Sequence, residues 1–333
     1  MSAAAPYLVE ARALTKTFDT RRGLVDRLFQ RRDYLVRALH AVDFGIRRGE
    51  TLGLIGESGC GKSTLARVLV RLEEPSAGRI VFDGEDITAA PAADLKRLRR
   101  RMQIVFQDPY TSLNPRQSVE TIVGLPLAIH RGLSRRAARD EIVAMLERVG
   151  LGAAHLNRFA HQFSGGQRQR IGIARALIVK PEFVVCDEPV SALDVSIQAQ
   201  ILELLAELRR ELGLTFLFIG HNLSVVGYVS DRIAVMYLGE LVEVGTAAEV
   251  LAAPRHPYTQ GLIAAVPRVT GRDANARVRA RGEPASPLRP PAGCHFHPRC
   301  PHAMELCRAQ APRLREIEPG RTVACHLYDQ GPG

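Results

Sequence analysis

Along this chain short unbroken apolar runs give way to stretches with helical spacing, and the changes between the two patterns mark the elements. From Thr51 to Ser63 the sequence reads TLGLIGESGCGKS, an apolar run that breaks into glycines and passes into ARVLVRL, which predicts strand, loop and helix. Strand-like apolar runs recur at Met102 to Phe106, Phe183 to Cys186 and Leu214 to Ile219. Helix-forming segments separate them, the alternation of a largely parallel α/β sheet. Upstream, Tyr7 to Phe18, Leu39 to Ile46 and Arg79 to Phe82 with its Asp83-Gly84 turn predict an antiparallel β subdomain beside that core. Between Gln107 and Ser164 the pattern is mainly helical, and Ser134 is placed to cap RRAARDEIVAMLERVG. Beyond about Pro254 proline and cysteine rise and periodicity fades, which predicts a separate C-terminal extension.

A length of 333 residues suits one large α/β domain with an appendage, and 46% hydrophobic with 24% charged residues is the balance of a globular protein. The start, MSAAAPYLVEARALTK, has no basic residue before its first apolar stretch, so no secretory signal is expected. The longest uncharged run, Leu212 to Ser230, contains His221, Asn222 and glycines and reads as a buried strand rather than a membrane span. Any membrane contact is therefore expected to be peripheral. Lys and Arg outnumber Asp and Glu by 45 to 35, which suits nucleic acid, anionic lipid or the cytoplasmic face of membrane proteins equally.

The chemistry begins with Gly56-Glu57-Ser58-Gly59-Cys60-Gly61-Lys62-Ser63-Thr64, which satisfies the phosphate-loop pattern between a predicted strand and a predicted helix. Glycines let successive N–H groups turn toward phosphate, and the helix that follows adds the positive end of its dipole. Lys62 is expected to neutralise the β- and γ-phosphate oxygens of ATP, and Ser63 to ligate Mg²⁺. Many nucleotide-binding folds share this loop, so it leaves the reaction open.

Further motifs narrow it. Phe163-Ser164-Gly165-Gly166-Gln167 resembles the signature sequence of ABC ATPases, and Phe183-Val184-Val185-Cys186-Asp187-Glu188-Pro189 resembles their Walker B strand. Gln107 in IVFQDPY, Asp194 in SALD and His221 in FIGHNLS match the Q-, D- and H-loops of that family, in the same order. The resemblance spans about residues 5 to 265. It implies an ABC nucleotide-binding domain over 1–254 with a helical subdomain at about 108–178, and an extension over 255–333. Asp187 and Glu188 end an apolar strand, where ligands of open α/β sheets bind. By resemblance Asp187 helps hold Mg²⁺, Glu188 polarises the attacking water, Gln107 links metal and water to the helical insertion, and His221 meets the γ-phosphate. Phe18 stands where the family places an aromatic that stacks on adenine; an ordinary packing role suits it too. Ser164 to Gln167 would cover the γ-phosphate held by an opposite subunit, with Ser164 capping the helix behind it.

Longer phrases, ALHAVDFGIRRGETLGLIGESGCGKSTLAR, QIVFQDPYTSLNPRQ, CDEPVSALDVSIQAQIL and RHPYTQGLIAAVP, resemble the ATPases of dipeptide and oligopeptide importers, specifically the F-type member of a nonidentical pair. That resemblance implies a second ATPase chain, two permease subunits and an extracytoplasmic solute-binding protein, at the cytoplasmic face of a bacterial inner membrane. Asp108 to Arg116 is then the expected contact for a permease coupling helix, and residues 19–37, which interleave apolar residues with arginines, allow a basic amphipathic helix. An ABC ATPase acting on DNA or ribosomes is the rival, but Gln107 and Ser164 are too close for the long coiled coil of DNA-repair members, and no nucleic-acid partner is expected.

Of six cysteines, Cys60 and Cys186 sit inside motifs and suit packing. Cys294, Cys300, Cys307 and Cys325 cluster in GCHFHPRCPHAMELC and VACH. A reducing cytoplasm disfavours disulfides, and four thiolates suit a [4Fe-4S] cluster or a structural zinc, although no C-x-x-C pair is present. Some importer ATPases with similar tails carry an iron–sulfur cluster, and the resemblance implies one here. His295, His297, His302 and His326 lie nearby and are expected outside the metal's ligand set.

Overall fold

The computed structural model describes residues 6–19, 35–265, 286 and 288–329. Among the described residues there are twelve strands: β1 Val9–Asp19, β2 Leu35–Ile46, β3 Thr51–Ile55, β4 Ala77–Phe82, β5 Glu85–Asp86, β6 Met102–Val105, β7 Phe183–Asp187, β8 Thr215–Ile219, β9 Arg232–Tyr237, β10 Glu240–Thr246, β11 Arg315–Glu318 and β12 Arg321–Val323. The chain forms two compact units.

One unit takes the described parts of Met1–Leu8, Ile46–Thr51 and Ala89–Gly220. Its centre is β6, β7 and β8, paired in parallel, with Met102 opposite Phe183 and Phe183 opposite Thr215. Every residue of β7 and β8 is buried, which is why their sequences read as unbroken apolar runs. The helices Val119–Arg131, Arg135–Arg148 and Gly165–Leu177 supply the expected helical insertion. Ser134 caps the second of them by accepting from the Ala137 N–H.

The other unit takes the described parts of Val9–Gly45, Leu52–Thr88 and His221–Gly333. It holds the antiparallel sheet β2-β1-β4-β5, as expected, and a second group in which β3 pairs in parallel with β9. The sequence reading missed β9 and β10, an antiparallel hairpin turned by Leu238 (φ 43) and Gly239 (φ 80). Positive φ at both central residues is the geometry whose twist matches a two-residue hairpin. Nor is the tail a body apart from this unit: β12 pairs with β10, Glu243 opposite Val323, and β11 pairs with β12. Of the helix expected over 19–37, residues 20–34 lie outside the described residues, while Asp19 and Leu35 to Arg37 belong to strands. Among the described residues no helix is long and apolar enough to cross a membrane.

Candidate functional site

Strand β3 ends at Ile55 and the helix Lys62–Leu69 begins one loop later. Close packing makes two of the loop's glycines, Gly56 and Gly61, steric necessities. A Cβ on Gly56 would come within 2.2 Å of the Met236 carbonyl, and one on Gly61, at φ 111, within 2.4 Å of the Ala38 carbonyl. Lys62 is buried and donates to the Gly56 and Glu57 carbonyls at 2.8 and 2.9 Å, so its ammonium lies within the loop that would wrap phosphate. Ser63 and Thr64 occupy the helix's first turn, half-buried. Burial pushes the Cys60 thiol up, as befits a packing residue.

Glu57 is held by residues beyond the loop. Its N–H donates to the Tyr258 hydroxyl at 2.8 Å, and its carboxylate takes a bidentate pair from Arg299 at 2.9 and 3.0 Å. The RHPYTQ segment supplies the first of these by a chain of local causes. The Arg255 and His256 N–H groups donate to the buried Glu243 carboxylate, His256 Nδ1 accepts from the Tyr258 N–H, and Pro257 opens the helix Pro257–Ala264. Tyr258 then packs with Tyr237 and the tail's Phe296, at ring separations of 4.6 and 5.5 Å. Arg321, also from the tail, meets Glu243 at 2.8 Å with both side chains buried. Burial keeps His256 neutral, its pKa lowered to about 3.

Phe18 lies near the end of β1, half-buried, with the Lys16 ammonium 4.8 Å from its ring centre. His221 is exposed and precedes Asn222, whose side chain caps the helix Leu223–Val229 through the Ser224 and Val225 N–H groups.

In the first unit Gln107 and Glu188 meet: the Gln107 amide donates to the Glu188 carboxylate at 3.0 Å. Glu188 has φ 47, a conformation that costs a non-glycine residue of order 1–3 kcal/mol and is concentrated at working sites. It is held there by its N–H to the Ile219 carbonyl and by Ser191, which bonds its carbonyl. Asp187 is buried at the end of β7. Ser164 and Gln167 form a reciprocal capping box at the start of Gly165–Leu177, with Ser164 exposed. A Cβ on Gly166 would meet Ile197 at 2.5 Å, so the signature glycine lets this helix pack against Val195–Leu212. Asp194 is exposed and caps that second helix only through its carbonyl, which accepts from Gln198. In DPYTSLNPR, Asp108 caps the single turn Pro109–Ser112, and Tyr110, 58% exposed, lies under the Arg168 guanidinium of the signature helix, 4.1 Å away.

The four tail cysteines are free thiols. Burial pushes Cys294 up to about 12 and Cys325 to about 11, and each also feels neighbouring cysteines. Among the described residues, the group with ligand atoms within 4.8 Å of one another is His40, Glu240 and His295, rather than these thiols. His295 stands out in the sequence only as a neighbour of the cysteines, expected outside their metal's ligand set, and nothing local singles out His40 and Glu240.

A phosphate loop, a Walker B strand with a glutamine on its glutamate, and a capped signature helix define an ATPase of the ABC class. Family models match accordingly: ABC transporter over residues 39–191, and the oligopeptide/dipeptide transporter C-terminal region over 242–307. Over 96% of this chain and 97% of its own length, the oligopeptide transport ATP-binding protein AppF of Bacillus subtilis is 48% identical. The di/tripeptide transport ATP-binding protein DppF of Pseudomonas aeruginosa is 46% identical over 97% of this chain and 98% of its own. Among solved structures, CbiO1 of Clostridium perfringens, part of an ABC transporter complex, superposes with a TM-score of 0.63 at 30% identity, covering 75% of this chain and 92% of that one. The ATP-binding cassette MJ0796, a dimer in a post-hydrolysis state with ADP and Pi, gives 0.63 at 30%, covering 72% and 98%. The chain belongs to the ATP-binding subunits of ABC transporters, in their oligopeptide/dipeptide branch. None of these relatives is named for DNA or the ribosome, so the rival reading has no support.

Proposed function

We propose that this chain hydrolyses ATP to drive import of dipeptides or oligopeptides, as one ATPase of a complex with a second cassette, two permeases and an extracytoplasmic receptor at the inner membrane. The observation that carries the branch is the HPY segment, in which His256 caps, Pro257 starts the helix and Tyr258 reaches the phosphate loop. Those residues fall inside the match to the oligopeptide/dipeptide C-terminal region.

In this reading Lys62 and the loop amides hold the β- and γ-phosphates. Ser63, Asp187 and Gln107 hold Mg²⁺, whose charge offsets that of the phosphates. Glu188 orients and polarises the attacking water, and the Gln107 amide keeps its carboxylate in place. His221 donates to the γ-phosphate, and Phe18 stacks on adenine. Between the mutually capped Ser164 and Gln167, the Gly165 and Gly166 N–H groups are offered to the γ-phosphate of a nucleotide on the opposite cassette, with Asp194 beside that boundary. Hydrolysis removes the γ-phosphate that both cassettes grip, and the pair opens. Exposed Tyr110, braced by Arg168, is the contact offered to a permease.

Cys294, Cys300, Cys307 and Cys325 are the ligands we assign to a [4Fe-4S] cluster. Cys294, Cys300 and Cys325 each feel the charge of Cys307, so the four thiols share one neighbourhood, and four thiolates are the donor set such a cluster takes. A cluster there would cross-link the tail or report redox state.

The test is affinity purification from native membranes in mild detergent, with mass spectrometry of what is retained. Two permeases, a related ATPase and a solute receptor are expected; ribosomal or DNA-repair partners without permeases would overturn the reading.

A further inference from the structure

Three residues far apart in sequence converge on the β9–β10 turn. His40 comes from β2, Glu240 opens β10, and His295 comes from the tail, and their ligand atoms lie within 4.8 Å of one another. His295 Nδ1 is 3.4 Å from a Glu240 carboxylate oxygen, yet this nitrogen is buried and finds no aligned hydrogen-bond partner among the described residues. The two imidazoles stand edge to face, centroids 5.0 Å apart and planes at 77°. An unsatisfied buried polar atom costs free energy and needs a reason. Two imidazoles and one carboxyl group with their ligand atoms within 4.8 Å of one another are a donor set that supplies one.

The surroundings hold these side chains in place. The turn itself is fastened on both sides. The His40 N–H donates to the Gly239 carbonyl at 2.9 Å, and the Gly239 N–H to the Cys60 carbonyl of the phosphate loop at 2.8 Å. At Gly239 a Cβ would come within 2.9 Å of the His40 ring, so glycine permits the approach.

We propose that His40, Glu240 and His295 form a binding site for a divalent first-row transition metal, zinc foremost, with water completing the coordination. Two histidines and a glutamate with one open position are an established zinc donor set, and imidazole also suits nickel and iron. The ion would tie β2, the β9–β10 turn and the tail together one hydrogen bond from Cys60. The site uses none of the four tail thiols, although His295 directly follows Cys294.

The full-length protein, treated with a mild chelator and dialysed against Zn²⁺, would be assayed for zinc and iron by mass spectrometry. Wild type should hold one zinc more than His40→Ala or Glu240→Gln, with zinc affinity lower by on the order of 10²-fold in the variants. Iron content and circular dichroism should match throughout, which separates loss of the site from loss of the fold. Cobalt gives a second reading: His40→Cys should keep Co²⁺ and gain a thiolate-to-cobalt charge-transfer band absent from wild type. Equal zinc in wild type and both variants would overturn the proposal. So would zinc that disappears only when the tail cysteines are alkylated.

Discussion

The Tyr258 hydroxyl accepts the Glu57 N–H of the phosphate loop at 2.8 Å across 201 positions of sequence. Tyr258→Phe keeps the ring's packing but leaves that N–H without its acceptor. A loss of about 1–3 kcal/mol in stability is expected, the cost of an unsatisfied, partly buried donor. Chemical denaturation of the two proteins side by side measures it; coincident midpoints would mean that water replaces the hydroxyl.

The Gln107–Glu188 contact predicts two unlike phenotypes. Glu188→Gln should lower ATP turnover about 10²-fold or more while ATP binding persists, as when a general base is lost. Gln107→Ala should leave the carboxylate present but unanchored, with a smaller fall in kcat. Steady-state turnover beside nucleotide-binding titrations separates them, and near-normal turnover of Glu188→Gln would remove Glu188 from its role.

Arg321→Met should be severe for a reason outside the nucleotide site. It strands Glu243 in a buried position, a defect of about 3–5 kcal/mol. Adding Glu243→Gln removes the stranded charge and should recover part of the loss, since the amide oxygen still accepts one of the Arg255 and His256 N–H bonds. Denaturation midpoints of the single and double variants read this directly.

His256 makes stability depend on pH. Its folded pKa, about 3, lies below the unfolded value of 6.5, because burial disfavours the imidazolium. Between those values the unfolded chain binds the extra proton, so this contribution is present above pH 6.5 and is lost as pH falls toward 3. His256→Asn, which still offers an acceptor to the Tyr258 N–H, should flatten that part of the profile. Thermal midpoints between pH 7 and pH 4 test it.

What sequence reading recovers here is whatever is local. The β3 loop, the buried strands β7 and β8, and the caps Ser134 and Ser164 each depend on a few neighbouring residues, and all lie where the pattern puts them. The misses depend on distance. The β9–β10 hairpin turns on Leu238-Gly239, which carries none of the Asn-Gly or Asp-Gly signal of such turns. Strands β11 and β12 are short, and what anchors them is the Arg321–Glu243 pair, 78 positions apart. RHPYTQ could be recognised as a phrase, but the reason for its histidine and tyrosine appears only with Glu243 and Glu57 in view.

Phe296 and Arg299 give the tail a second meaning. One fills the aromatic nest of Tyr237 and Tyr258, and the other clasps Glu57. Anyone grafting this cassette onto a foreign permease, or trimming it to the length of shorter relatives, would take away the keystone from beneath the loop proposed to hold ATP. The inheritable module is the loop together with its tail.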